Sequence, residues 1–378
     1  MAAKKTDKTA KAKVYFTDMR TVPFKDGLIG KLKKLLQKAQ MDKIDFAGRF
    51  TAIKIHFGEL GNLAFLRPNF ARAVVEEIKR LGGKPFLTDC NTLYVGHRKD
   101  ALDHLETAYQ NGFNPYNTGC HILIADGLKG TDEALVPVPN GELVKNAKIG
   151  RAIMDADIVV SLNHFKGHEM TGFGGAIKNL GMGSGSRAGK MEQHTDSKPA
   201  VNAKRCVGCK TCAKICAHGA PQFAGGKAKI DHAKCVGCGQ CIGVCPKDAI
   251  EPAYDAAPGN LDKKMAEYAL AVVHGRPQFH INIVMDVSPF CDCHPENDAP
   301  IVSDIGMFAS FDAVALDQAC SDAVLRAPML ADSVLHEHAD GKRDHWTAVS
   351  PATNWKTQLE HAEKIGLGTR NYELVKVK

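Results

Sequence analysis

Long apolar runs are missing from this sequence. No window of its 378 residues reaches the ~18 uninterrupted apolar residues that a membrane span needs. The N-terminal lysines are not followed by the roughly 7–15-residue apolar stretch of a secretory signal, and there is no twin-Arg pair. These absences set the expectation of a soluble, cytoplasmic chain with no membrane partner. Charge of one sign is also scarce once it is located. Of the formal net charge of +7, +4 falls in residues 1–13, MAAKKTDKTAKAK, and the rest of the chain is close to neutral. Residues 1–12 read as a disordered basic tail without interleaved aromatics, and no recognised reader motif follows, which excludes nucleic acid as a partner. A phosphate-loop signature is absent as well. GSGSRAGKM, residues 183–191, breaks the G-x4-G-K-[ST] spacing and has Met191 where a hydroxyl residue belongs, leaving open an anion loop of another kind.

What is present is an ordinary globular composition, 44% hydrophobic and 24% charged, in a chain longer than one core usually serves, so two or three domains are expected. Strand-like runs (KVYFTDM, TAIKIHF, KPFLTDC, HILIAD, ADIVVSL, QFHINIVMDV) alternate with helical patterns (GLIGKLKKLLQKAQM, NFARAVVEEIKRLGG, DALDHLETAYQNG, LDKKMAEYALAVVHG, FDAVALDQACSDAVL). This alternation predicts an α/β fold, mostly parallel sheets covered by helices. A Cys-rich block interrupts it, giving a body of residues 13–199 and 253–378 around an inserted module at 200–252. Ligands of such sheets bind beyond the carboxyl ends of the strands, where Asp18, Asp89, Asp126, Asn163, His164 and Asp286 stand. ENDAPIV, residues 296–302, reads as a loop and SPATNWKTQLEHAEKIGLGTRNYE, residues 350–373, as a last helix.

Thirteen cysteines in a chain without a secretory signal point to metal rather than disulfides. Cys206, Cys209, Cys212 and Cys216 follow C-x2-C-x2-C-x3-C, and Cys235, Cys238, Cys241 and Cys245 repeat the pattern 29 residues on, there followed by Pro246. Three closely spaced thiolates wrap one cubane, and in two-cluster ferredoxins the fourth Cys ligates the other cluster. The expected partition is Cys206, Cys209, Cys212 with Cys245, and Cys235, Cys238, Cys241 with Cys216, holding two [4Fe–4S] clusters in a ferredoxin-like α+β module. A zinc ribbon would want two Cys pairs across a longer spacer. Gly225-Gly226 in FAGGKAKID reads as a hairpin turn. Eight Lys or Arg against three Asp or Glu in residues 200–252 either stabilise reduced clusters or steer a redox partner protein, such as an acidic ferredoxin, through Lys204, Arg205, Lys210 and Lys214.

Just before the block, SLNHFKGHEMTGFGGAIKNLGMGSGSRAGKMEQH holds His164, Lys166, His168, Lys178, Lys190 and His194 among glycines, of which Gly172, Gly174 and Gly175 are candidates for close approach to a cofactor. CDCHPEND, residues 291–298, offers Cys291, Cys293 and His294 as a third metal site, with a redox thiol or plain packing as the alternatives for Cys293. Cys90, Cys120 and Cys320 stand alone and read as small packed hydrophobes.

With HFKGHEMTGFGGAIKNLGMGS, the paired Cys block, CDCHP and SDIGMFASFDAVALDQA in view, the chain resembles a family known only as domain of unknown function 362, over nearly all of residues 13–325. That resemblance implies an iron–sulfur protein of anaerobic bacteria or archaea without an assigned reaction. A more distant likeness is to the nickel-pincer lactate racemase family. GHRKD at residues 96–100 is similar to its Gly-x-His-Arg signature, and His168, Lys178 and His194 are similar in type and order to its later His, Lys and His. This likeness implies catalytic roles for His97, His168, Lys178 and His194, with Lys178 anchoring a cofactor. The chain departs from the racemases in its Cys block and in Asn179-Leu180-Gly181 after the lysine. Three function classes follow. One is a redox enzyme or carrier acting on an unknown small molecule, another a non-redox isomerase or lyase, and the third an iron–sulfur sensor or binding protein.

Overall fold

The computed structural model describes residues 11–378 apart from Val95, Ser197, Tyr254 and Pro258. Of the expected tail, residues 1–10 lie outside the described residues, and Ala12 already belongs to a strand. Along the chain come β1 (Ala12–Asp18), α1 (Leu28–Lys38), β2 (Phe50–Lys54), α2 (Pro68–Arg80), β3 (Lys84–Asp89), α3 (Ala101–Gln110), α4 (Pro115–Thr118) and β4 (Ile122–Ile124). Next are the hairpin β5 (Glu133–Pro137) and β6 (Asn146–Gly150), α5 (Arg151–Asp155), β7 (Ile158–His164), the short pair β8 (Lys166–His168) and β9 (Gly172–Gly174), α6 (Ala176–Ser184) and α7 (Arg187–His194). The Cys block contains β10 (Ala200–Val201), α8 (Thr211–Ile215), β11 (Pro221–Ala224), β12 (Lys227–Ile230), α9 (Gln240–Gly243) and β13 (Ile250–Glu251). The chain then returns with α10 (Asn260–Val273), β14 (Gln278–Val284), β15 (Gly306–Ser310), α11 (Ala313–Arg326), α12 (Val334–His338), α13 (His345–Val349), α14 (Lys356–Ile365) and β16 (Tyr372–Lys376).

One mixed, mostly parallel sheet carries the fold, in the order β16-β1-β15-β14-β7-β2-β3-β4. β14, β7, β2, β3 and β4 run parallel, whereas β15 is antiparallel to both β14 and β1. The parallel strands are β-branched and buried on both faces, as crossover-connected strands must be. Alternation then sorts their side chains into two layers. Ile158, Val160 and Leu162 pack into the core with Leu32, Leu35, Val74 and Ile78 of α1 and α2, while Val159 joins the core of α6, α10 and α11. α2 starts with Pro at its first turn and ends before Gly82, whose φ of +84° is a left-handed stop that the Gly pair permits.

Two strands of the large sheet depart from the sequence reading. The final segment, read as a helix, also yields β16 at the sheet edge. β15, sequence GMFAS, lacks the β-branched residues that flag a strand and forms through pairing with β14 and β1. The ends of the Cys block are joined by the antiparallel pair β10–β13, Ala200 opposite Glu251. Within it β11 and β12 form a hairpin whose turn is Gly225-Gly226, with φ of +58° and +74°. No helix among the described residues is long and apolar enough to cross a membrane.

α10 carries a testable defect. Asp262 is 3% exposed, and its Oδ1 finds no hydrogen-bond partner among the described residues. Burial pushes its pKa up to about 7. A carboxyl raised in the folded state costs stability as pH climbs from its unfolded value to its folded one, here from about 4 to about 7. Asp262→Asn is therefore expected to be more stable than the parent by about 1–3 kcal/mol at pH 8, with the gap shrinking toward pH 5. Thermal unfolding of both proteins at the two pH values checks this, and a gap independent of pH contradicts it.

Candidate functional site

The carboxyl ends of β2, β3 and β7, the β8–β9 pair and the loop after β14 surround a cavity of about 600 Å³. α6, α7 and α10 close its other side. His97, His168, Lys178 and His194 all line it, as do Cys293, His294, Gly174 and Gly175. Residues spread over 198 positions of sequence thus converge on one hollow, because the parallel strands deliver their carboxyl ends to one edge of the sheet.

Not every strand-end residue arrives there. Asp89, Asn163 and His164 line the cavity, but Asp18 pairs with Lys31 at 2.5 Å and Asp286 with Arg67 at 3.0 Å, both at the surface. Asp126 is buried beside the cavity wall, where its Oδ1 accepts from Asn91 N–H at 2.9 Å. Gly172 does not line the cavity either. A side chain there would strike Trp355, with Cβ atoms 2.5 Å apart. At Gly175 a Cβ would fall 2.3 Å from Asp317 Oδ1, so that glycine lets the start of α6 approach the carboxylate. Asp317 accepts from the Ala176 and Ile177 N–H groups at 2.8 and 2.9 Å and so fixes the helix that carries Lys178.

The floor is an ionic network that the sequence reading missed. Lys54, wholly buried, lies 2.8 Å from Asp89 Oδ1 and donates to Asn179 Oδ1 at 2.7 Å. Asn179 in turn donates to Asn163 Oδ1 at 2.6 Å, tying α6 to β7. Arg98, in the GHRKD motif, is 1% exposed and bridges Glu59 at 3.1 Å and Asp89 at 3.6 Å. The neighbouring His97 is mostly exposed at the rim, its backbone N–H held by Glu59 at 2.8 Å.

His164 and Asp292 lock the CDCH loop. His164 Nδ1 is 2.9 Å from both Asp292 carboxylate oxygens, and Nε2 is 2.8 Å from the Met285 carbonyl oxygen. Both partners only accept, so both ring nitrogens carry protons. Burial pulls the pKa of His164 down, but the Asp292 charge outweighs it and the net shift is upward. His164 therefore positions the loop and is not free to move protons.

His168 is different. Its Nδ1 accepts from Met170 and Thr171 N–H, both at 3.2 Å, and lies 3.0 Å from Thr171 Oγ1. A ring that accepts at Nδ1 carries its proton at Nε2, and burial favours this neutral form by lowering its pKa. His194 is half-buried, and the desolvation it meets there brings its pKa down to about 3. Lys178 Nζ donates to Cys291 Sγ at 3.2 Å, so that lysine holds a thiol although Cys291 lies behind the cavity lining. A hydrogen bond from Cys293, with Lys166 and Lys178 adding to it, holds the Cys291 thiol well below its usual range against burial, and donating that bond drives Cys293 up. Buried Lys166 stays a cation because the Cys291, Asp292 and Glu169 charges overcome the burial that would neutralise it. Glu169, in HFKGHEM, was passed over in the sequence. It is held low, against burial, by His168 and by a hydrogen bond from His294, whose Nε2 lies 2.9 Å from Oε1.

The GSGSRAGKM loop uses its cations internally. Lys190 donates to the Gly185 carbonyl at 2.7 Å, and Arg187 donates to the carbonyls of Thr92 and Lys129 at 3.1 and 3.0 Å. Ser186 caps α7 by accepting from Gly189 N–H at 3.1 Å.

In the Cys block, Cys206, Cys209, Cys212 and Cys245 line one small hollow, and Cys216, Cys235, Cys238 and Cys241 line another. Backbone N–H groups of Ala228, Ala249, Ala220 and Gly237 point at the sulfurs of Cys206, Cys245, Cys216 and Cys235 from 3.2 to 3.5 Å.

A profile for a domain of unknown function, DUF362, matches residues 51–322. The chain belongs to the DUF362 family. No curated protein matches this DUF362 chain. Among solved structures similar to it are the lactate racemase apoprotein from Thermoanaerobacterium thermosaccharolyticum and a structural-genomics target from Thermotoga maritima. The first has 12% identity and a TM-score of 0.37, covering 76% of this chain and 54% of that one. The second has 12% identity and a TM-score of 0.36, covering 78% of this chain and 58% of that one. The DUF362 chain spans little more than half the length of either structure.

Proposed function

We propose that this protein is an iron–sulfur oxidoreductase in which residues 200–252 form a two-cluster, ferredoxin-like module serving a small-molecule site in the cavity. The Cys block meets the requirements of the group it would hold. Each hollow has four thiols, three from one motif and the fourth from the other, with N–H donors aimed at the sulfurs as anionic thiolates require. Each site crowds four sulfurs, and burial followed by mutual repulsion pushes Cys241 up to about 12, a cost that iron would remove. Two bound [4Fe–4S] clusters would supply single electrons.

One observation carries the link to the cavity. Leu93 packs in the same apolar cluster as Cys206, Cys212 and Ile242, and it also lines the cavity. Leu93 is thus shared between the packing of the module and the lining of the cavity. α7 touches both, with Met191 packed in the cluster of the Cys block and Lys190 and His194 lining the cavity. Lys99 pins the module to the body through Asp248 and the Cys245 carbonyl. Inside the cavity, His168 Nε2–H is positioned to give a proton, and Lys166 and Lys178 suit an anionic substrate group. A redox partner protein would load the clusters from outside.

Lys178→Met is expected to slow reoxidation of the pre-reduced protein by a cavity-binding oxidant at least about tenfold, the loss of one charge-assisted contact, while leaving the iron content unchanged. Anaerobic stopped-flow reoxidation across a panel of small organic anions measures it. Identical rates for every oxidant that reacts would mean a bare carrier and overturn the proposal.

A second reading has its own support, since His97, His168, Lys178 and His194 share one cavity. In a non-redox isomerase His168 would move a proton and Lys178 would anchor a cofactor. Intact mass of the chain at its unmodified value rules out the anchored form.

A further inference from the structure

Beyond the two clusters, we infer that the rim of the cavity holds a mononuclear site for a divalent late transition metal, ligated by Glu169, Cys293 and His294. The ligand atoms of these three residues all lie within 4.8 Å of one another, and all three residues line the cavity. They come from two separate loops, the β8–β9 turn and the segment after β14, so the cluster is made by the fold and not by local sequence. His294 Nε2 and Glu169 Oε1, 2.9 Å apart, already share one proton position that a cation would replace.

The donor set selects the metal. One thiolate, one imidazole and one carboxylate make a mixed soft and hard site, which suits zinc, nickel, cobalt or ferrous iron and disfavours magnesium or calcium. Three protein ligands would leave a tetrahedral ion one position open, at a place where all three residues line the cavity. That vacancy would take water or an oxygen of the substrate, so the site belongs with binding or polarising an oxygen-bearing group.

Neighbouring residues divide into supports and outsiders. His168 is not a ligand, because its Nδ1 accepts two N–H groups; ligation through Nε2 would leave neither ring nitrogen protonated. Cys291 is committed to Lys178 at 3.2 Å. Its backbone N–H donates to Glu169 Oε2 at 3.3 Å, which orients the carboxylate that would face the ion. The Asp292–His164 pair fixes the loop between the two cysteines. The expected site thus shares Cys293 and His294 with the set read from sequence and replaces Cys291 by Glu169.

The inference stands without the electron-transfer reading. It is tested on full-length protein purified without oxygen, its iron content counted first, then dialysed against zinc alone and examined by elemental analysis and zinc K-edge absorption. One zinc per chain is expected, with one sulfur among nitrogen and oxygen neighbours and no loss of iron. Cys293→Ser should remove the sulfur neighbour, and His294→Ala or Glu169→Gln should each weaken zinc retention by about tenfold or more. These residues are partly exposed, so the variants should keep the parent's far-ultraviolet spectrum and iron content. Zinc absent from iron-replete protein, zinc retained equally by Cys293→Ser, or zinc with four sulfur neighbours in emptied cluster sites would each overturn the assignment. Loss of iron with retention of this zinc would instead count against the cluster reading alone.

Discussion

Asp89→Asn is expected to destabilise the protein by about 3–5 kcal/mol, the cost of breaking a buried ion pair by removing one partner. Asp89 is the only carboxylate within salt-bridge distance of Lys54 among the described residues, at 2.8 Å with both side chains buried. It also lies 3.6 Å from Arg98 and 3.7 Å from His104. Burial would raise its pKa, but the Lys54 charge, then His104 and His56, hold it well below the carboxylate range. Its contribution is therefore full above the unfolded carboxylate value of about 4 and fades as pH falls below that. The asparagine leaves Lys54 charged in a wholly buried position, or neutral at a comparable cost, since burial already lowers its pKa. Thermal midpoints at a fixed scan rate read the loss. The double variant Lys54→Met/Asp89→Leu should lose much less than the two single changes combined, as ion pairs replaced by apolar residues usually do. A single-variant cost under about 1 kcal/mol, the size of an exposed pair, would contradict the buried-network description. The effect reaches the cavity lining through Asn179, which Lys54 holds and which sits beside Lys178 on α6.

Cys245→Ala is expected to remove about four of roughly eight irons, and the cluster lost should be the one whose other ligands are in the first motif. Cys245 lies in the second motif but lines the hollow of Cys206, Cys209 and Cys212. Pairing it with Cys206→Ala should therefore lose no more iron than either change alone. Pairing it with Cys235→Ala should lose nearly all of it, because Cys235 lines the other hollow. The reverse pattern, with Cys245 and Cys235 equivalent, would mean that each motif holds its own cluster. Iron content and the electron paramagnetic resonance of the reduced variants distinguish the two.

How much of this was legible in sequence varied with the kind of signal. The parallel strands read clearly because burial on both faces demands β-branched runs, and IVVSL and INIV are such runs. β15 and β16 did not, since GMFAS and YELVK owe their state to pairing with distant strands, and antiparallel insertion into a parallel sheet has no local mark. The grouping of the eight cysteines into two sets of four was legible because their spacing repeats. Lys54 was missed although it left a trace. A lysine two residues before His56, inside TAIKIHF, is a charge within a run that must be buried, and such a charge needs a partner. Glu169 left none. Its place beside His294 depends on how the β8–β9 turn meets the loop after β14, a tertiary fact. In the glycine-rich stretch, the close approaches of Gly172 to Trp355 and of Gly175 to Asp317 are tertiary contacts that the sequence does not mark.

The most direct test of the central claim is iron and acid-labile sulfide per chain in protein purified and kept without oxygen, read together with the resonance spectrum after reduction. Two cubane clusters in one small module require about eight irons and eight sulfides, and a reduced spectrum split by coupling between two nearby spins. About four irons with an uncoupled spectrum, or zinc in place of iron at the eight cysteines, would contradict it.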